Sequence, residues 1–219
     1  MSNTQKKVAA IVAAYNEGPR IESVLHSLVA CSDISEIVVV DDGSREMLDW
    51  IHERFPNVTL IRHEHNKGKA AAMETGVQAT DAEYLFFCDA DLDGFLPEHA
   101  SAMIRPVVSG EYRMFIGIRE NPEQQAVLLF ALNSGERCVL RGDWDALPVF
   151  YKKGFRIETG LNVFVKKRGG KLGYKVFSYR QTIKEQKYGF LEGTKERVKL
   201  MYQVGVAYFY IAFIDYWRR

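Results

Sequence analysis

Five short apolar runs, rich in β-branched residues, recur through the first 120 residues of this 219-residue chain, and longer amphipathic stretches separate them. The runs are Val8 to Ala14, Glu36 to Val40, Val58 to Arg62, Tyr84 to Cys88 and Met114 to Ile118. Runs of this kind are typical of buried strands, and strands that alternate with helices form a largely parallel sheet. The pattern therefore predicts an α/β fold with a single Rossmann-like sheet flanked by helices.

The stretches between the runs predict the helices that cover this sheet. Apolar residues lie at helical spacing in two sets: Ile21, Val24, Leu25 and Leu28, and then Met47, Leu48, Ile51 and Phe55. Pro56 closes the second helix. We interpret both sets as faces that pack into the core.

The carboxyl-terminal stretch from Leu191 onward predicts one long helix, which is almost wholly apolar between Val204 and Trp217. A segment of about 14 residues is too short to span a bilayer. Because its apolar residues cover nearly the whole circumference, something must bury them. The predicted organisation is a domain over residues 1–190 and a helical extension over residues 191–219. This extension packs on its own domain, forms a homodimer interface or lies in the membrane interface.

Charge is distributed unevenly along the chain. Residues 1–151 carry 13 Lys and Arg against 23 Asp and Glu, a balance of −10, whereas residues 152–219 carry 16 against 5, a balance of +11. An acidic half suits a bound cation, and a basic half attracts phosphates or an anionic membrane surface. We expect no nucleic-acid partner.

The cysteines and the amino terminus indicate the cellular compartment in which we expect the protein. Cys31, Cys88 and Cys138 are widely separated and show no CxxC spacing, so they predict buried thiols and neither a disulfide framework nor a zinc site. The first apolar run is too short for a secretory signal. We therefore expect a cytoplasmic protein, peripheral at the membrane if the terminal helix contacts lipid.

Polar clusters follow four of the predicted strands. They are Tyr15-Asn16-Glu17-Gly18, Asp41-Asp42-Gly43-Ser44, Asn66-Lys67-Gly68-Lys69 and Asp89-Ala90-Asp91. In open α/β sheets ligands bind outside the carboxyl ends of the strands, so the four clusters are expected to converge on one edge. One site built from four loops is predicted.

The residue types in these loops suit a phosphate-bearing ligand and a metal. Asp89 and Asp91 are hard oxygen ligands for Mg²⁺ or Mn²⁺, which leave other positions to phosphates and water. Lys69 begins a predicted helix, where it meets a phosphate. Asp42 either accepts hydrogen bonds from a ribose or base, or holds a helix-capping loop. Residues 89–94 also resemble the start of a calcium-binding EF-hand loop. That interpretation fails because Ala100 stands at the position where such a loop requires a bidentate Glu.

In this order and spacing, four segments resemble the family 2 glycosyltransferases of GT-A fold, particularly the branch of dolichol-phosphate mannosyltransferase-like and polyprenyl-phosphate sugar transferases. The segments read Ala14-Tyr15-Asn16-Glu17, Val39-Val40-Asp41-Asp42-Gly43-Ser44, Asn66-Lys67-Gly68-Lys69-Ala70-Ala71-Ala72 and Asp89-Ala90-Asp91-Leu92. The resemblance extends to Gly117-Ile118-Arg119, to Ser134-Gly135-Glu136-Arg137 and to residues 155–162. It implies a GT-A domain over residues 1–190 that uses Mg²⁺ or Mn²⁺ and a UDP- or GDP-linked sugar.

The resemblance also implies roles for individual residues. Tyr15, Glu17 and Asp42 contact the nucleoside. Asp89 lies near the ribose and the metal, and Asp91 is the principal metal ligand and a catalytic residue. The donor-binding set is completed by Ala13, Asp41, Lys69, Ala90, Arg119, Arg137, Lys184 and Lys187. Two positions depart from the family pattern: Ala13 replaces a usual proline, and Asp93 replaces a common Gln and adds a third acid beside the metal.

Family 2 enzymes invert configuration, so the implied chemistry is one in-line displacement at the anomeric carbon. A hydroxyl acceptor needs a base, and Glu158, which opens a predicted helix, is the candidate. A polyprenyl-phosphate acceptor is already a nucleophile, and Glu158 then orients it or binds the sugar. Alternatively, Glu158 is an acid that simply favours a first helical turn. Lys184 and Lys187 form either a mobile lid over the diphosphate or a solvated loop.

Two other function classes stay open at this point. A sugar nucleotidyltransferase has a similar core and needs a metal, but it usually carries a glycine-rich amino-terminal loop that this sequence lacks. A catalytically inactive, membrane-associated binding protein of the same fold has no need of the acids at positions 89 and 91. An oxidoreductase is disfavoured because no G-x-G-x-x-G follows the first strand.

Overall fold

A computed structural model of the chain describes residues 6–120, 132–181, 198 and 202–209. The strands are β1 (Val8–Ala14), β2 (Glu36–Asp41), β3 (Val58–Arg62), β4 (Tyr84–Asp89), β5 (Leu92–Asp93), β6 (Met114–Arg119), β7 (Arg137–Leu140), β8 (Leu172–Phe177) and β9 (Arg180–Gln181). The helices are α1 (Arg20–Val29), α2 (Trp50–Arg54), α3 (Lys69–Gln78), α4 (Pro97–Val108), α5 (Arg141–Asp145) and α6 (Ile157–Lys167), with a 3₁₀ helix over Gly154–Arg156.

Seven of these strands form one sheet in the order β3-β2-β1-β4-β7-β6-β8, and β5 pairs with β9 in a separate two-stranded ribbon. Four neighbouring pairs of the main sheet are parallel, and only β7 runs antiparallel to both of its neighbours. The predicted mostly parallel sheet is therefore confirmed. The order reverses beside β1, because β2 and β3 lie on one side of it and β4 lies on the other.

The central strand β1 is buried on both faces, which explains its uninterrupted apolar sequence. Alternate side chains of a strand point to opposite faces of the sheet. Accordingly Val12 packs in a core cluster with Leu25 of α1 and Met103 of α4, whereas Ile11 packs in a second cluster with Met73 of α3 and Leu161 of α6. Helices thus cover both faces of the sheet, as expected.

Helix α2 is shorter than the sequence pattern predicted. Leu48, Ile51 and Phe55 are buried, but Met47 is exposed, so its assignment to the core was wrong. The helix begins only at Trp50, and Met47 lies in the preceding loop, where helical spacing no longer fixes the direction of a side chain. The three cysteines are free and buried, as predicted.

Residues 202–209 are helical and pack on the domain through one face. Val204 and Ala207 are buried, and Gln203 lies against Gly154. Apart from these residues and residue 198, the predicted helix over 191–219 lies outside the described residues, and the division at residue 190 stays a prediction. No helix in the described part of the chain is both long and apolar enough to cross a membrane.

Candidate active site

The carboxyl ends of β1, β2 and β4 lie side by side. In the sheet register Ala14 is opposite Asp41, and Ala13 is opposite Asp89. These strands flank the point where the strand order reverses, which is where open α/β sheets form a ligand-binding crevice. Ala13 is partly buried there, and Ala90 is buried one residue beyond the end of β4.

The loops after β1 and β2 are joined by hydrogen bonds. The backbone N–H of Asn16 donates to Ser44 Oγ at 2.9 Å, and the N–H of Arg45 donates to Asn16 Oδ1 at 2.9 Å. Asp41 is buried and accepts a hydrogen bond from the N–H of Ser44 at 2.9 Å and one from Arg62 Nη1 at 2.7 Å. Asp41 therefore stabilises the conformation of the loop after β2 in this structure.

Two predicted nucleoside contacts lie in the loop after β1. Tyr15 is partly buried. Glu17 is buried, and its Oε2 accepts a hydrogen bond from Arg20 Nε at 3.3 Å. Both residues are thus next to the crevice, and their contact with a nucleoside stays a prediction.

Asp42 anchors the loop that follows β3. Its Oδ1 accepts a hydrogen bond from the N–H of Lys67 at 2.9 Å, and its Oδ2 accepts one from the N–H of Gly68 at 2.7 Å. His63 Nδ1 is hydrogen-bonded to Asp42 Oδ1 at 2.7 Å, and His63 Nε2 to Thr75 Oγ1 of α3 at 2.9 Å. Buried Asp42 is therefore a loop-holding residue in this structure, and its nucleoside contact stays a prediction.

Gly43 lets these two loops come together. Its φ of +74° lies in the left-handed region, and a Cβ atom there would stand 2.6 Å from the carbonyl carbon of His65. Only glycine meets both requirements. The four loops were predicted to converge on one sheet edge. These contacts and the pairing of Lys69 with Asp89 confirm it.

Lys69 joins the third loop to the fourth and to α6. Its Nζ lies 2.7 Å from Asp89 Oδ1 and 3.2 Å from Glu158 Oε1. Burial opposes the charge on Lys69, but the attraction of Asp89 and Glu158 outweighs burial and raises the pKa of the lysine above its ordinary value. Glu158 lies in the first turn of α6, as predicted, and its side chain is buried there. One ammonium group thus bridges the predicted metal-binding acid and the predicted acceptor-side acid.

Arg119 holds the other side of Asp89. At the end of β6, its Nη2 donates to Asp89 Oδ2 at 2.6 Å and to Glu136 Oε1 at 2.7 Å, and its Nε donates to Glu136 Oε2 at 2.9 Å. Burial works against ionisation of Asp89, but the charges of Lys69 and Arg119 prevail and hold its pKa well below the usual range. Asp89 is therefore a carboxylate with a cation on each oxygen.

The sequence predicted no role for Glu136, which belongs to the segment Ser134-Gly135-Glu136-Arg137 that resembles the family. It is fully buried just before β7, where its only sequence signal is a single acid at the start of an apolar strand. The structure shows that it is the main partner of Arg119.

Arg137, predicted as a donor contact, lies inside the protein. Its Nη1 donates to the carbonyl of Glu158 at 3.2 Å and to Asn162 Oδ1 at 3.0 Å, and its Nη2 donates to the carbonyls of Leu132 and Ser134. Burial lowers the pKa of this guanidinium. In this structure Arg137 fixes the start of α6 through the carbonyl of Glu158, and a contact with the donor stays a prediction.

Asp91 is buried in the turn between β4 and β5, two residues beyond Asp89. Carboxylate oxygens are the ligands that Mg²⁺ and Mn²⁺ prefer, and the lowered pKa of Asp89 keeps it ionised, so this donor pair fits a hard divalent cation. Over the described ranges, no three or more His, Cys, Asp or Glu side chains group to hold a metal ion. Lys184 and Lys187 lie outside the described residues.

Solved structures with the same architecture include glucosyl-3-phosphoglycerate synthase from Mycobacterium tuberculosis. In its complex with Mn²⁺, UDP and glucosyl-3-phosphoglycerate, it superimposes with a TM-score of 0.74 at 20% identity, over 91% of this chain and 80% of that one. A complex of the same enzyme with Mg²⁺ and UDP gives a TM-score of 0.73. At this identity the likeness establishes the fold, which is the expected GT-A fold.

Curated relatives are similar over part of their length. An uncharacterised glycosyltransferase of Escherichia coli is 30% identical over 96 residues, 42% of this chain and 28% of that protein. A dolichyl-phosphate β-glucosyltransferase of Trichomonas vaginalis is 33% identical over 101 residues, 40% of this chain and 31% of that protein. A UDP-N-acetylglucosamine–dolichyl-phosphate N-acetylglucosaminyltransferase of Methanococcus voltae is 28% identical over 139 residues, 54% of this chain and 55% of that protein.

The chain thus matches about a third of the length of the first two relatives and about half of the third. The profile of the family described as Glycosyl transferase family 2 matches residues 9–157, which is more than half of the chain and includes all four loops of the site. The chain therefore belongs to glycosyl transferase family 2.

Proposed function

We propose that this protein transfers a sugar from a nucleoside diphosphate-sugar to an acceptor, with help from Mg²⁺ or Mn²⁺. The observation that carries the proposal is the position of Lys69, whose Nζ pairs with Asp89 at 2.7 Å and with Glu158 at 3.2 Å. This contact brings the donor-side acid and the acceptor-side acid to one place at the switch point of the sheet. The family assignment favours the transferase over the nucleotidyltransferase and oxidoreductase alternatives.

The donor side is assigned to the loops after β1, β2, β3 and β4. Tyr15 and Glu17 lie at the nucleoside end, and Asp91 holds the cation together with Asp89. A bound Mg²⁺ or Mn²⁺ supplies positive charge against the diphosphate as it leaves. Lys69 and Arg119 place two fixed positive charges beside Asp89, where they attract the phosphates. The complexes of the M. tuberculosis enzyme with UDP and Mn²⁺ or Mg²⁺ support a donor of this class.

The transfer itself is a single displacement. An acceptor oxygen forms a bond to the anomeric carbon, the bond from that carbon to the phosphate oxygen breaks, and the nucleoside diphosphate leaves with the electron pair. When the acceptor is a hydroxyl, its proton passes to Glu158. When the acceptor is a phosphate, no proton transfer is required, and Glu158 positions the acceptor or the sugar.

A polyprenyl phosphate is the acceptor that we propose. Two relatives are named as dolichyl-phosphate sugar transferases, and the carboxyl-terminal part of the chain is strongly basic, with 16 Lys and Arg against 5 Asp and Glu over residues 152–219. Basic residues attract both a lipid phosphate and the anionic surface in which it lies.

The test is a screen of UDP- and GDP-sugars for release of the nucleotide, first to water and then to a short polyprenyl phosphate, with Mn²⁺ present or removed by a chelator. We expect metal-dependent release by the wild type and its loss in Asp91→Asn, which replaces a charged ligand by a weaker neutral one. Asp145→Asn is the matched control, because Asp145 is an exposed acid in α5, outside the four loops of the site.

Each outcome decides one assignment. Near-normal turnover of Asp91→Asn at saturating Mn²⁺ would refute the metal site. Metal-dependent release to water without transfer to the polyprenyl phosphate would keep the donor assignment and refute the acceptor. Thermal unfolding of both variants at the wild-type temperature checks that the fold is intact.

A further inference from the structure

Glu136 is a fully buried acid, with none of its surface exposed to solvent. Its two oxygens accept hydrogen bonds from Arg119 Nε at 2.9 Å, Arg119 Nη2 at 2.7 Å and Ser134 Oγ at 2.8 Å. The hydroxyl of buried Tyr179 lies 3.4 Å from Oε2. A buried carboxylate is costly unless it is paired and hydrogen-bonded, and Glu136 meets both conditions through Arg119.

Arg119 is shared between two acids. The Nη2 atom that donates to Glu136 also donates to Asp89 Oδ2 at 2.6 Å. Glu136 and Asp89 therefore compete for one positive charge. Because Glu136 binds the guanidinium through two nitrogens and Asp89 binds it through one, Glu136 constrains the direction of Arg119 more than Asp89 does.

The backbone beside Glu136 also bears on Asp89. A Cβ atom on Gly135 would stand 2.6 Å from both carboxylate oxygens of Asp89, a distance too short for a Cβ contact unless the carboxylate shifts. The carboxylate of Asp89 thus lies directly against the main chain at Gly135. Gly135 leaves room for the carboxylate of Asp89 because it has no side chain. Glu136 acts through its charge, because it holds the arginine that binds this carboxylate.

We propose that Glu136 is a positioning residue for the divalent cation: by holding Arg119 and neutralising much of its charge, it leaves Asp89 with negative charge for the metal. The inference rests on the proposed metal site at Asp89 and Asp91. If Glu136 loses its charge, the full positive charge of Arg119 falls on Asp89, and the site becomes more positive by one unit. Cation binding then weakens, although Glu136 never touches the cation. Partners of metal ligands typically change affinity by roughly 10- to 100-fold.

A second fully buried acid that is paired with an arginine supplies the control, although this arginine is partly exposed. Asp143 in α5 is fully buried and accepts two hydrogen bonds from Arg113, from Nε and Nη2, each at 2.9 Å. It makes no described contact with Asp89, Lys69 or Arg119. Neutralising Asp143 therefore removes the charge of a fully buried, arginine-paired acid without altering the charge at the candidate metal site.

The experiment measures binding of Mn²⁺ alone, by electron paramagnetic resonance of the free ion, to the wild type, Glu136→Gln, Glu136→Asp and Asp143→Asn. Folding is checked by thermal unfolding. We expect Glu136→Gln to bind Mn²⁺ roughly 10- to 100-fold more weakly than the wild type, and Glu136→Asp, which restores the charge, to recover part of the loss. Asp143→Asn is expected to bind as the wild type does.

Equal Mn²⁺ affinity of folded Glu136→Gln and Asp143→Asn would overturn the inference. If Glu136→Gln does not fold, the comparison passes to Glu136→Asp against Asp143→Glu: weaker binding by the first supports the positioning role, and equal binding refutes it. If the wild type binds no Mn²⁺, alone or with UDP, the proposed metal site fails and this inference fails with it. The wild-type titration therefore separates the two failures.

Discussion

Replacement of Asp42 by Ala gives the sharpest test of how this site is assembled. The carboxylate accepts hydrogen bonds from the N–H groups of Lys67 and Gly68 at 2.9 and 2.7 Å and is hydrogen-bonded to His63 at 2.7 Å. These contacts fix the loop that leads into Lys69. If Asp42 acted only on a nucleoside, its loss would leave the ligand-free protein as stable as before.

The magnitude follows from these three bonds. A hydrogen bond to a charged acceptor contributes roughly 1.5–3 kcal/mol when the partners are buried, and less when water replaces the lost acceptor. Water reaches the exposed Lys67 and the half-buried Gly68 more easily than it reaches the buried His63. We therefore expect Asp42→Ala to lower the free energy of unfolding by about 3 kcal/mol. A structural loss of this size also weakens donor binding, because Lys69 is no longer held in place.

The assay is urea unfolding of the ligand-free protein, followed by measurement of KM and kcat for the donor identified in the screen. Glu64→Ala is the control, because Glu64 is an exposed acid next to His63. We expect KM to rise more than kcat falls. An unfolding free energy within 0.5 kcal/mol of the wild type, on the order of an average surface substitution, would refute the anchoring role of Asp42.

Three further predictions follow from the same contacts. Gly135→Ala is expected to weaken Mn²⁺ binding, since its Cβ would stand 2.6 Å from the Asp89 oxygens; wild-type affinity in a titration would contradict this. The pKa of Asp89 is lowered by its partners and that of Lys69 is raised. The stabilisation from this pair is therefore complete between about pH 5 and pH 9, lost in acid as Asp89 protonates and lost in alkali as Lys69 deprotonates. The unfolding free-energy difference between the wild type and Lys69→Met should be constant across that window and change outside it. Glu158→Gln is expected to bind the donor normally but to release the nucleotide to water, the hydroxyl acceptor of the screen, roughly 100-fold more slowly; unchanged release to water would remove Glu158 as the base.

The parts of the fold that sequence predicted best are those whose signal is local. The run Val8 to Ala14 has the same bounds as β1, because a strand buried on both faces carries uninterrupted apolar residues. The run Val58 to Arg62 has the same bounds as β3, which is an edge strand and only partly buried. The four polar clusters follow from the same logic, since they begin where the apolar runs stop. Asp42 and Lys69 were found as members of these clusters.

What sequence missed depends on contacts between distant residues. Strand β7 has only four residues and runs antiparallel between β4 and β6, so its place in the sheet carries no βαβ signal. Glu136 and Arg119 are 17 residues apart, and Glu158 and Lys69 are 89 apart. A single sequence states which of these residues are charged, but the pairing of their charges arises only when the sheet is formed.

The exposed face of the carboxyl-terminal helix leads to the last prediction. Tyr202 and Phe209 are 71% and 60% exposed, and their spacing of seven residues places them on one helical face. The opposite face carries Val204 and Ala207 and packs on the domain. A large aromatic face of this kind is expected to be covered by another surface.

An anionic bilayer is the cover that we predict, because aromatic side chains sit well at headgroup depth and the surrounding part of the chain, residues 152–219, has a charge balance of +11. The full-length protein should co-sediment with vesicles that contain anionic lipid at low salt. The double variant Tyr202→Ser and Phe209→Ser should bind much less, because two aromatic anchors are lost. The control is Tyr174→Ser with Val176→Ser, which removes two exposed apolar side chains from β8 and should bind as the wild type does. Equal binding of all three proteins would exclude this helix as the membrane contact. No vesicle binding, together with a dimer that the Tyr202 and Phe209 substitutions dissociate, would assign the face to a second copy of the chain.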